Sequence, residues 1–213
     1  MVSYIVWMVF MKKFKWILLC VAMGTALLFA TAIMAQAEQR QLSRKLIRFH
    51  VIANSDTETD QSLKLQVRDA VLAFLDQEHW EDLDEARLWL NDNLLQLERI
   101  ANAKLLELGS SQTATARLVR EEYPTRHYDS FSLPAGEYES LQIILGEGEG
   151  KNWWCVVYPA ICRKASGAME TAAVSSGFKA SEVTLITEDT VTVRVKFKLL
   201  EVFRKIRIFL QDT

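Results

Sequence analysis

The chain has 213 residues, with 25 Lys and Arg against 27 Asp and Glu, so its formal net charge at pH 7 is −2. Only three lysines and no acidic residue precede Glu38, which leaves 22 basic and 27 acidic residues in the remainder, or about −5. That balance argues against a nucleic-acid-binding protein, which needs a basic surface to neutralise phosphates. The length suits one compact domain with a substantial core.

The N-terminus combines a basic flank, a long apolar run and a small-residue site. Three lysines precede the run Trp16–Met34, and Ala-Gln-Ala follows it. This order is typical of a secretory signal with cleavage between Ala37 and Glu38. The run is also long enough to cross a bilayer at about 1.5 Å per residue, so an uncleaved anchor is the alternative. We therefore expect residues 1–37 to be a signal peptide or membrane anchor, and residues 38–213 to be an exported domain.

A strand followed by two helices is predicted for the first half of that domain. Residues 44–54 (RKLIRFHVIAN) are rich in β-branched and aromatic residues and end in a polar turn, as strands do. Ser55 and Glu58 have the spacing of a helix-capping box, which predicts a helix ending near Trp80. The pattern Asp82-x-x-Glu85 predicts the capped start of a second helix that runs to Gly109, and the two helices are expected to form an antiparallel pair over a sheet.

Patterns of period two dominate the second half of the domain. Strands are predicted over residues 113–123, 137–145 and 153–158. The last two strands are predicted to form a hairpin, with the glycine-rich segment 146–150 as its loop.

Two further segments complete the predicted fold. Residues 164–181 are rich in Ala, Ser and Gly, which predicts a loose surface insertion. Residues 191–198 alternate apolar and polar side chains, which predicts a half-buried strand with a basic face before a short terminal helix. The expected fold class is α+β (mixed α/β), a single domain with an N-terminal strand, two antiparallel helices on one face of a mostly antiparallel sheet, and a C-terminal strand and short helix.

The sequence contains no motif typical of catalysis, metal binding or cofactor binding. The glycine loop 146–150 lacks the GK[ST] ending of a phosphate-binding loop, and its two glutamates would repel an anion. His50, His79 and His127 are not spaced as metal ligands. An Asp and a Ser follow His127, but neighbours on one segment cannot converge as a catalytic triad must. We expect no catalytic residue, no metal and no cofactor, and an action by binding.

Two tryptophans and two cysteines follow the glycine loop. Trp153 and Trp154 are adjacent in a predicted strand, so they are expected to point to opposite faces of the sheet. One is expected in the core, and the other is either exposed as an anchor for a partner or buried under a neighbouring segment. Outside the cytoplasm, Cys155 and Cys162 are predicted to form a disulfide that fixes the end of the strand.

Several motifs in this sequence resemble a known family. The segments HVIANSDTETDQSLKLQVRDAV (residues 50–71) and LPAGEYESLQIILGEGEGKNWWCVVYPAIC (residues 133–162), together with the leading apolar segment, resemble stage II sporulation protein R of endospore-forming Firmicutes. The resemblance implies a signalling protein exported from the forespore into the space between the two forespore membranes. It also implies a partner, the membrane-embedded aspartic protease called stage II sporulation protein GA, which converts pro-sigma-E to active sigma-E.

A binding function raises the question of which residues touch the partner. The candidate residues are Asn54, Asp56, Asp60, Arg68, Asp69, Gly136, Glu137, Tyr138, Trp153 and Trp154. Capping and solvation at the start of a helix would also explain the first three. Arg68 and Asp69 fit either a polar helix face or a buried pair joining helix to sheet, and the buried pair is the preferred interpretation. Gly136 is expected at a turn that requires positive φ.

Two other classes of function stay open. A secreted hydrolase acting on cell-wall material would need paired carboxylates or a metal. A membrane-anchored structural protein would keep its N-terminal segment and could place the basic residues of the C-terminal segment against anionic lipid.

Overall fold

The computed structural model describes residues 2–128, 131–160, 177–187 and 191–211. Six helices and six strands lie within these ranges. The helices are α1 (Val2–Ser43), α2 (Glu58–Leu75), α3 (Leu83–Asp92), α4 (Leu94–Glu107), α5 (Ala180–Thr187) and α6 (Val191–Gln211). The strands are β1 (Ile47–Ile52), β2 (Ala114–Tyr123), β3 (Arg126–His127), β4 (Ser132–Leu133), β5 (Gly136–Leu145) and β6 (Asn152–Tyr158).

Four strands form the main sheet in the order β2-β5-β1-β6, and β3 pairs with β4 separately. Strand β1 runs parallel to β5 and antiparallel to β6, and β2 runs antiparallel to β5. This mostly antiparallel sheet, packed with helices in one domain, confirms the predicted α+β class. The predicted hairpin is wrong, because β1 lies between β5 and β6. Strand β1 is buried along nearly all its length, so its backbone groups need a neighbouring strand on each side.

One face of the sheet is covered by α2, α3 and α4. Alternate residues of β1 point toward these helices, namely Ile47, Phe49 and Val51, and all three are fully buried. Leu141, Ile143 and Leu145 of β5 join the same cluster, as do the following helical residues: Leu63, Val67, Val71, Leu75, Ala86, Leu90, Leu97, Ala101 and Leu105. The predicted pair of helices therefore exists and builds an almost entirely apolar core.

The other face of the sheet has its own core. The sequence predicts helices on one face only and does not predict this second core. The end of α1 supplies Leu42, and α5 supplies Val183 and Ile186. Other members come from the strands and connecting segments, namely Leu46, Tyr123, Phe131, Leu133, Tyr138, Val156 and Phe178. The sheet is thus the middle of three layers, and its second face carries the larger share of aromatic side chains.

The helix boundaries correct one predicted cap and confirm another. Helix α2 is capped by Thr57, whose side chain accepts from the backbone N–H of Asp60, so the predicted Ser55 capping box is wrong by two residues. The side chain of Asp82 accepts from the N–H of Glu85 and caps α3, as predicted. The second predicted helix is divided at Asn93 into α3 and α4.

The C-terminal prediction is wrong, because residues 191–211 form the single helix α6. The alternation of apolar and polar residues at its start has a strand period, but the buried residues Val193, Phe197 and Leu200 recur at helical spacings of four and three. Helix α6 packs against α1. Most of the predicted insertion 164–181 lies outside the described residues.

Helix α1 is much longer than the domain requires. It includes Met11–Ser43, a stretch that is long and apolar enough to cross a membrane. Residues 12–31 are exposed throughout, whereas Ala32, Ala35, Gln39 and Leu42 are buried along one face. This composition is compatible with a signal sequence or a membrane anchor. The last turns of α1 belong to the packed domain.

Candidate functional site

The turn after β1 and the glycine loop after β5 interlock through Asn54. The side-chain amide of Asn54 donates to Oδ2 of Asp60 at 2.9 Å, and its Oδ1 accepts from the backbone N–H of Glu147 at 3.0 Å. A Cβ added to Gly150 would lie 2.2 Å from the carbonyl oxygen of Ser55, so only glycine fits there. The loop that was predicted to close a hairpin instead packs against the start of α2.

Asp60 is the buried carboxylate of this junction. It accepts hydrogen bonds from Oγ of Ser55 at 2.5 Å, Nδ2 of Asn54 at 2.9 Å and Nε2 of Gln112 at 2.6 Å. These hydrogen bonds, led by that from Ser55, outweigh burial and hold the pKa of Asp60 below its ordinary value. Asp60 is therefore a fixed anion that joins the β1 turn, α2 and the segment before β2.

Asp56 lies on the outer side of the same junction. Its Oδ1 accepts from the backbone N–H of Lys151 at 2.6 Å, although 57% of its side chain is exposed. Of the three residues predicted to meet a partner at the start of α2, Asn54 and Asp60 make internal contacts, whereas Asp56 also offers an exposed charge. No finding tests whether any of them contacts a partner, so that stays a prediction.

Arg68 links helix α2 to strand β6. Its Nη2 lies 2.7 Å from Oδ1 of Asp69, and its guanidinium carbon lies 4.9 Å from the centre of the Trp153 ring. Asp69 is 62% exposed, so the preferred interpretation of a buried pair is wrong. Because burying both charges would require further partners, the carboxylate stays in solvent while the guanidinium lies over the indole. Phe49 meets the same indole edge-on at 5.6 Å.

Trp154 points to the opposite face of the sheet from Trp153, as predicted. Its ring lies 4.7 Å from that of Tyr123, and the guanidinium carbon of Arg126 lies 4.8 Å from its centre. Trp153 and Trp154 are both half-buried, and each has an arginine over its ring. The start of β6 therefore holds two half-buried tryptophans in fixed orientations, one on each face of the sheet. We refer to Trp153, Trp154, Arg68 and Arg126 as the indole–arginine surface.

Arg48 is a fully buried cation on the Trp154 face of the sheet. Its Nε donates to the carbonyl oxygen of Cys155 at 3.1 Å, and its Nη2 donates to the hydroxyl of Tyr128 at 2.8 Å. Its guanidinium carbon lies 4.2 Å from the centre of the Tyr123 ring and 5.2 Å from that of Tyr138. Among the described residues no carboxylate pairs with Arg48, and its Nη1 has no hydrogen-bond partner. Aromatic rings and a carbonyl group therefore stabilise this charge.

His50 and Glu121 form a second polar contact on that face. Nδ1 of His50 lies 3.2 Å from Oε1 of Glu121, and the imidazole stacks on the indole of Trp154 at 3.7 Å. Burial acts to raise the pKa of Glu121, but hydrogen bonds from His50, Gln142 and Ser140 prevail and lower it to about 2. Glu121 is thus an ionised acceptor that orients the imidazole against Trp154.

Gly136, Glu137 and Tyr138 open strand β5. A Cβ at Gly136 would lie 2.1 Å from Nε2 of the buried Gln39 side chain, and the φ of Gly136 is 159°, close to extended backbone. The φ of Gly136 is positive, as predicted, although the residue opens strand β5 rather than a tight turn, and the amide group of Gln39 occupies the space beside it. Tyr138 is buried, donates to the carbonyl oxygen of Pro134 at 2.7 Å, and has its pKa raised to about 12 by burial. Glu137 is 55% exposed and lies near Arg120.

The predicted disulfide and the predicted cleavage site lie in different parts of the chain. Cys155 is buried in β6, but Cys162 lies outside the described residues, so their disulfide stays a prediction. Ala37 and Glu38, on either side of the predicted cleavage site, lie inside the continuous helix α1.

A cleft beside the start of α3 is a further cavity among the described residues. This cleft of about 490 Å³ is open to solvent and lined by Arg44, Lys45, Arg87, Tyr158 and residues 81–84. Its charges are largely paired within the protein, because Lys45 bonds Glu182 and Arg87 bonds Glu139. Within the described ranges, no group of three or more His, Cys, Asp and Glu side chains could hold a metal ion.

Sequence reasoning missed the polar cluster on the second face, which contains Arg48, Glu121 and Tyr123. The signal was present, because Arg48 and His50 alternate with the apolar residues of β1. Such alternation is typical of a strand with one solvated face. Only the location of the α1 end, α5 and β4 over this face shows that the polar positions are buried.

Comparison with known proteins identifies the same family that the sequence motifs resemble. A family model described as Stage II sporulation protein R (spore_II_R) matches residues 43–167. The Stage II sporulation protein R of Bacillus subtilis (strain 168) is 32% identical over 160 residues, which cover 70% of this chain and 70% of that protein. No solved structure matches. The chain therefore belongs to the stage II sporulation protein R family.

Proposed function

We propose that this protein is an exported signal between the two compartments of a sporulating cell. It binds and activates the membrane-bound aspartic protease called stage II sporulation protein GA, which then processes pro-sigma-E to active sigma-E. Family membership is the observation that carries this proposal. The exported domain is residues 38–213, and residues 1–37 deliver it across the forespore membrane.

The N-terminal helix supports export. A helix with more than twenty exposed apolar and small residues cannot remain in water, and a bilayer is the solvent that matches it. The three lysines before the apolar run favour a cytoplasmic N-terminus. The domain after α1 then lies on the far side of the membrane, where the receptor would meet it.

The indole–arginine surface is our candidate for receptor contact. Tryptophan and arginine are enriched among residues that dominate binding energy, because they combine a large apolar area with polar groups. Here both indoles are already held by Phe49 on one face and by His50 on the other. A preorganised surface loses little side-chain entropy on binding. A receptor that meets this surface only in its active state would shift toward that state.

Reconstitution of processing tests the proposal. The full chain, the membrane protease and pro-sigma-E are combined in vesicles, and the production of mature sigma-E is measured. We expect processing to depend on this protein and to fall at least tenfold with Trp153→Ala, a loss typical of a binding hot spot. Trp89→Ala is the matched control, because Trp89 is also half-buried against the same core but packs its ring on Phe74 and Trp80, outside the indole–arginine surface.

Three results would contradict parts of this scheme. Equal processing without the protein rules out activation. Equal losses with Trp153→Ala and Trp89→Ala assign the effect to stability rather than to contact. Hydrolysis of peptidoglycan by the purified protein would favour the alternative of a cell-wall hydrolase.

A further inference from the structure

The exposed face of helix α6 carries both positive charge and apolar side chains. Arg194, Lys198, Val202 and Lys205 are exposed and follow one another at spacings of four, four and three, which places them along one side of the helix. Val195 lies beside them and is 51% exposed, and Val202 is 47% exposed. The opposite side is buried through Val193, Phe197 and Leu200. Helix α6 is thus amphipathic, and its solvent side is cationic with valines among the charges.

Helix α6 carries almost only positive charge. The sequence of residues 191–211 contains six Lys and Arg but only one acidic residue, Glu201. Lys198 pairs with Glu201 at 3.0 Å and remains 79% exposed. The rest of the exported region is acidic, so this helix is an isolated positive segment. An anionic partner is therefore attracted to α6 and not to the remainder of the domain.

The location of α6 on α1 indicates which anion it meets. Nζ of Lys196 lies 2.6 Å from Oε2 of Glu38, so α6 contacts the part of α1 that directly follows the apolar run. Burial on α1 extends back to Ala32 and Ala35, which are 1% and 2% exposed, and so overlaps the end of the run Trp16–Met34. When that run spans a bilayer, α6 lies at the level of the lipid head groups.

We propose that α6 binds the surface of an anionic lipid bilayer, with its lysines at the head groups and Val195 and Val202 directed toward the acyl boundary. This contact depends on α1 remaining attached and goes beyond receptor activation. It would fix the orientation of the domain relative to the membrane, in the manner of an interfacial amphipathic helix. The indole–arginine surface includes no residue of α6, so a receptor could bind it while α6 contacts the membrane.

The test uses a spin label on α6 in the full chain. Val202→Cys is labelled in a Cys20→Ser background, because Cys20 is an exposed free thiol. Accessibility of the label to oxygen and to a polar nickel chelate is compared in nanodiscs of phosphatidylcholine alone and with phosphatidylglycerol. We expect oxygen accessibility to rise and nickel accessibility to fall only with the anionic lipid, and 0.5 M NaCl to reverse the change. A label on Leu106→Cys, which is 77% exposed on α4, should not respond.

Replacing two lysines of α6 by neutral residues tests the size of the effect. Each cation near an anionic surface strengthens attraction about fivefold, so Lys198→Gln with Lys205→Gln should lower the ratio of bound to unbound α6 about 25-fold. Arg99→Gln with Arg120→Gln removes the same charge from exposed positions on α4 and β2 and should leave the ratio unchanged. Equal label behaviour in neutral and anionic nanodiscs, or equal effects of the two double variants, would overturn the proposal.

Discussion

The two faces of the central sheet are built from different chemistry. The face under α2, α3 and α4 is apolar, and Phe49 and Val51 of β1 pack there with leucines and valines. The opposite face buries Arg48 and His50 among tyrosines and Trp154. Apolar packing is non-directional and tolerates volume-conserving exchange, whereas a buried charge depends on each partner being present. Stability therefore comes chiefly from the first face, and the fixed orientation of Trp154 comes from the second.

Truncating Phe49 should give the largest effect. Phe49 is fully buried and supports Trp153, so Phe49→Ala should lower the free energy of unfolding by about 3–5 kcal/mol. Chemical unfolding of the full chain in neutral detergent, followed by tryptophan fluorescence, measures this. Leu88→Ala, at a residue 66% exposed on α3, is the control and should change the free energy by less than about 0.5 kcal/mol. A similar loss for both variants would show that the apolar face does not dominate.

Replacing Arg48 sharpens the contrast between the faces. Arg48→Ala should destabilise by about 3 kcal/mol, because it leaves a cavity between Tyr123 and Tyr138 and frees the carbonyl group of Cys155. Arg48→Met fills the same space without a charge and should lie within about 1 kcal/mol of the wild type. Unfolding in the same detergent compares the two variants. If Met is as damaging as Ala, the cation itself is essential to this face.

Glu121 should make the second face sensitive to acid. Its pKa is lowered to about 2 from an ordinary value of 4.5, so its stabilising contribution is complete above pH 4.5 and is lost as pH falls through about 2. Glu121→Gln should therefore cost at most about 3 kcal/mol at neutral pH, and the difference from the wild type should shrink between pH 4.5 and pH 2. Unfolding measured across that range tests the sign. A difference that stays constant with pH would refute the assigned role.

Arg68 should give the smallest effect. Arg68→Gln removes the cation over Trp153 at a partly exposed site, so the expected loss is about 0.5–1 kcal/mol. The fluorescence emission of Trp153 should also change. Comparing Arg68→Gln with and without Trp153→Phe identifies which part of the emission comes from Trp153. Asp69→Asn should have almost no effect, because that carboxylate is 62% exposed. Equal losses for Arg68→Gln and Asp69→Asn would assign the stabilisation to the ion pair instead.

The sequence predicted local structure better than the relations between distant segments. Strands β2, β5 and β6 and the cap at Asp82 follow from periodicity and short-range hydrogen bonding. The placement of β1 between β5 and β6 could not be predicted in this way. Strands β5 and β6 are neighbours in the sequence, which favours a hairpin, and only the pairing of β1 with both of them excludes that hairpin. The helix over residues 191–211 was misread since its apolar positions satisfy both a period of two and spacings of four and three.

The candidate contact residues show the same division. The opposite directions of Trp153 and Trp154 were predictable, since alternation along a strand is fixed by geometry. The arginines over their rings were not, because Arg68 and Arg126 are far from the tryptophans in sequence. The internal roles of Asn54 and Asp60 likewise depend on the distant glycine loop and Gln112. Residue types alone could not distinguish a partner contact from a contact within the chain.

Because α1 is continuous, cleavage between Ala37 and Glu38 depends on whether it happens before or after the domain folds. The predicted bond between Ala37 and Glu38 lies within a helix, with Ala35 buried and Gln39 packed over Gly136. Proteases cut locally unfolded backbone, so this bond resists cleavage once α1 is helical and its end has packed on the domain. Molecules cut before folding would diffuse away, and molecules that fold first would stay tethered. On the proposed function, the relative rates of cleavage and folding would decide whether the protein acts at the membrane or away from it.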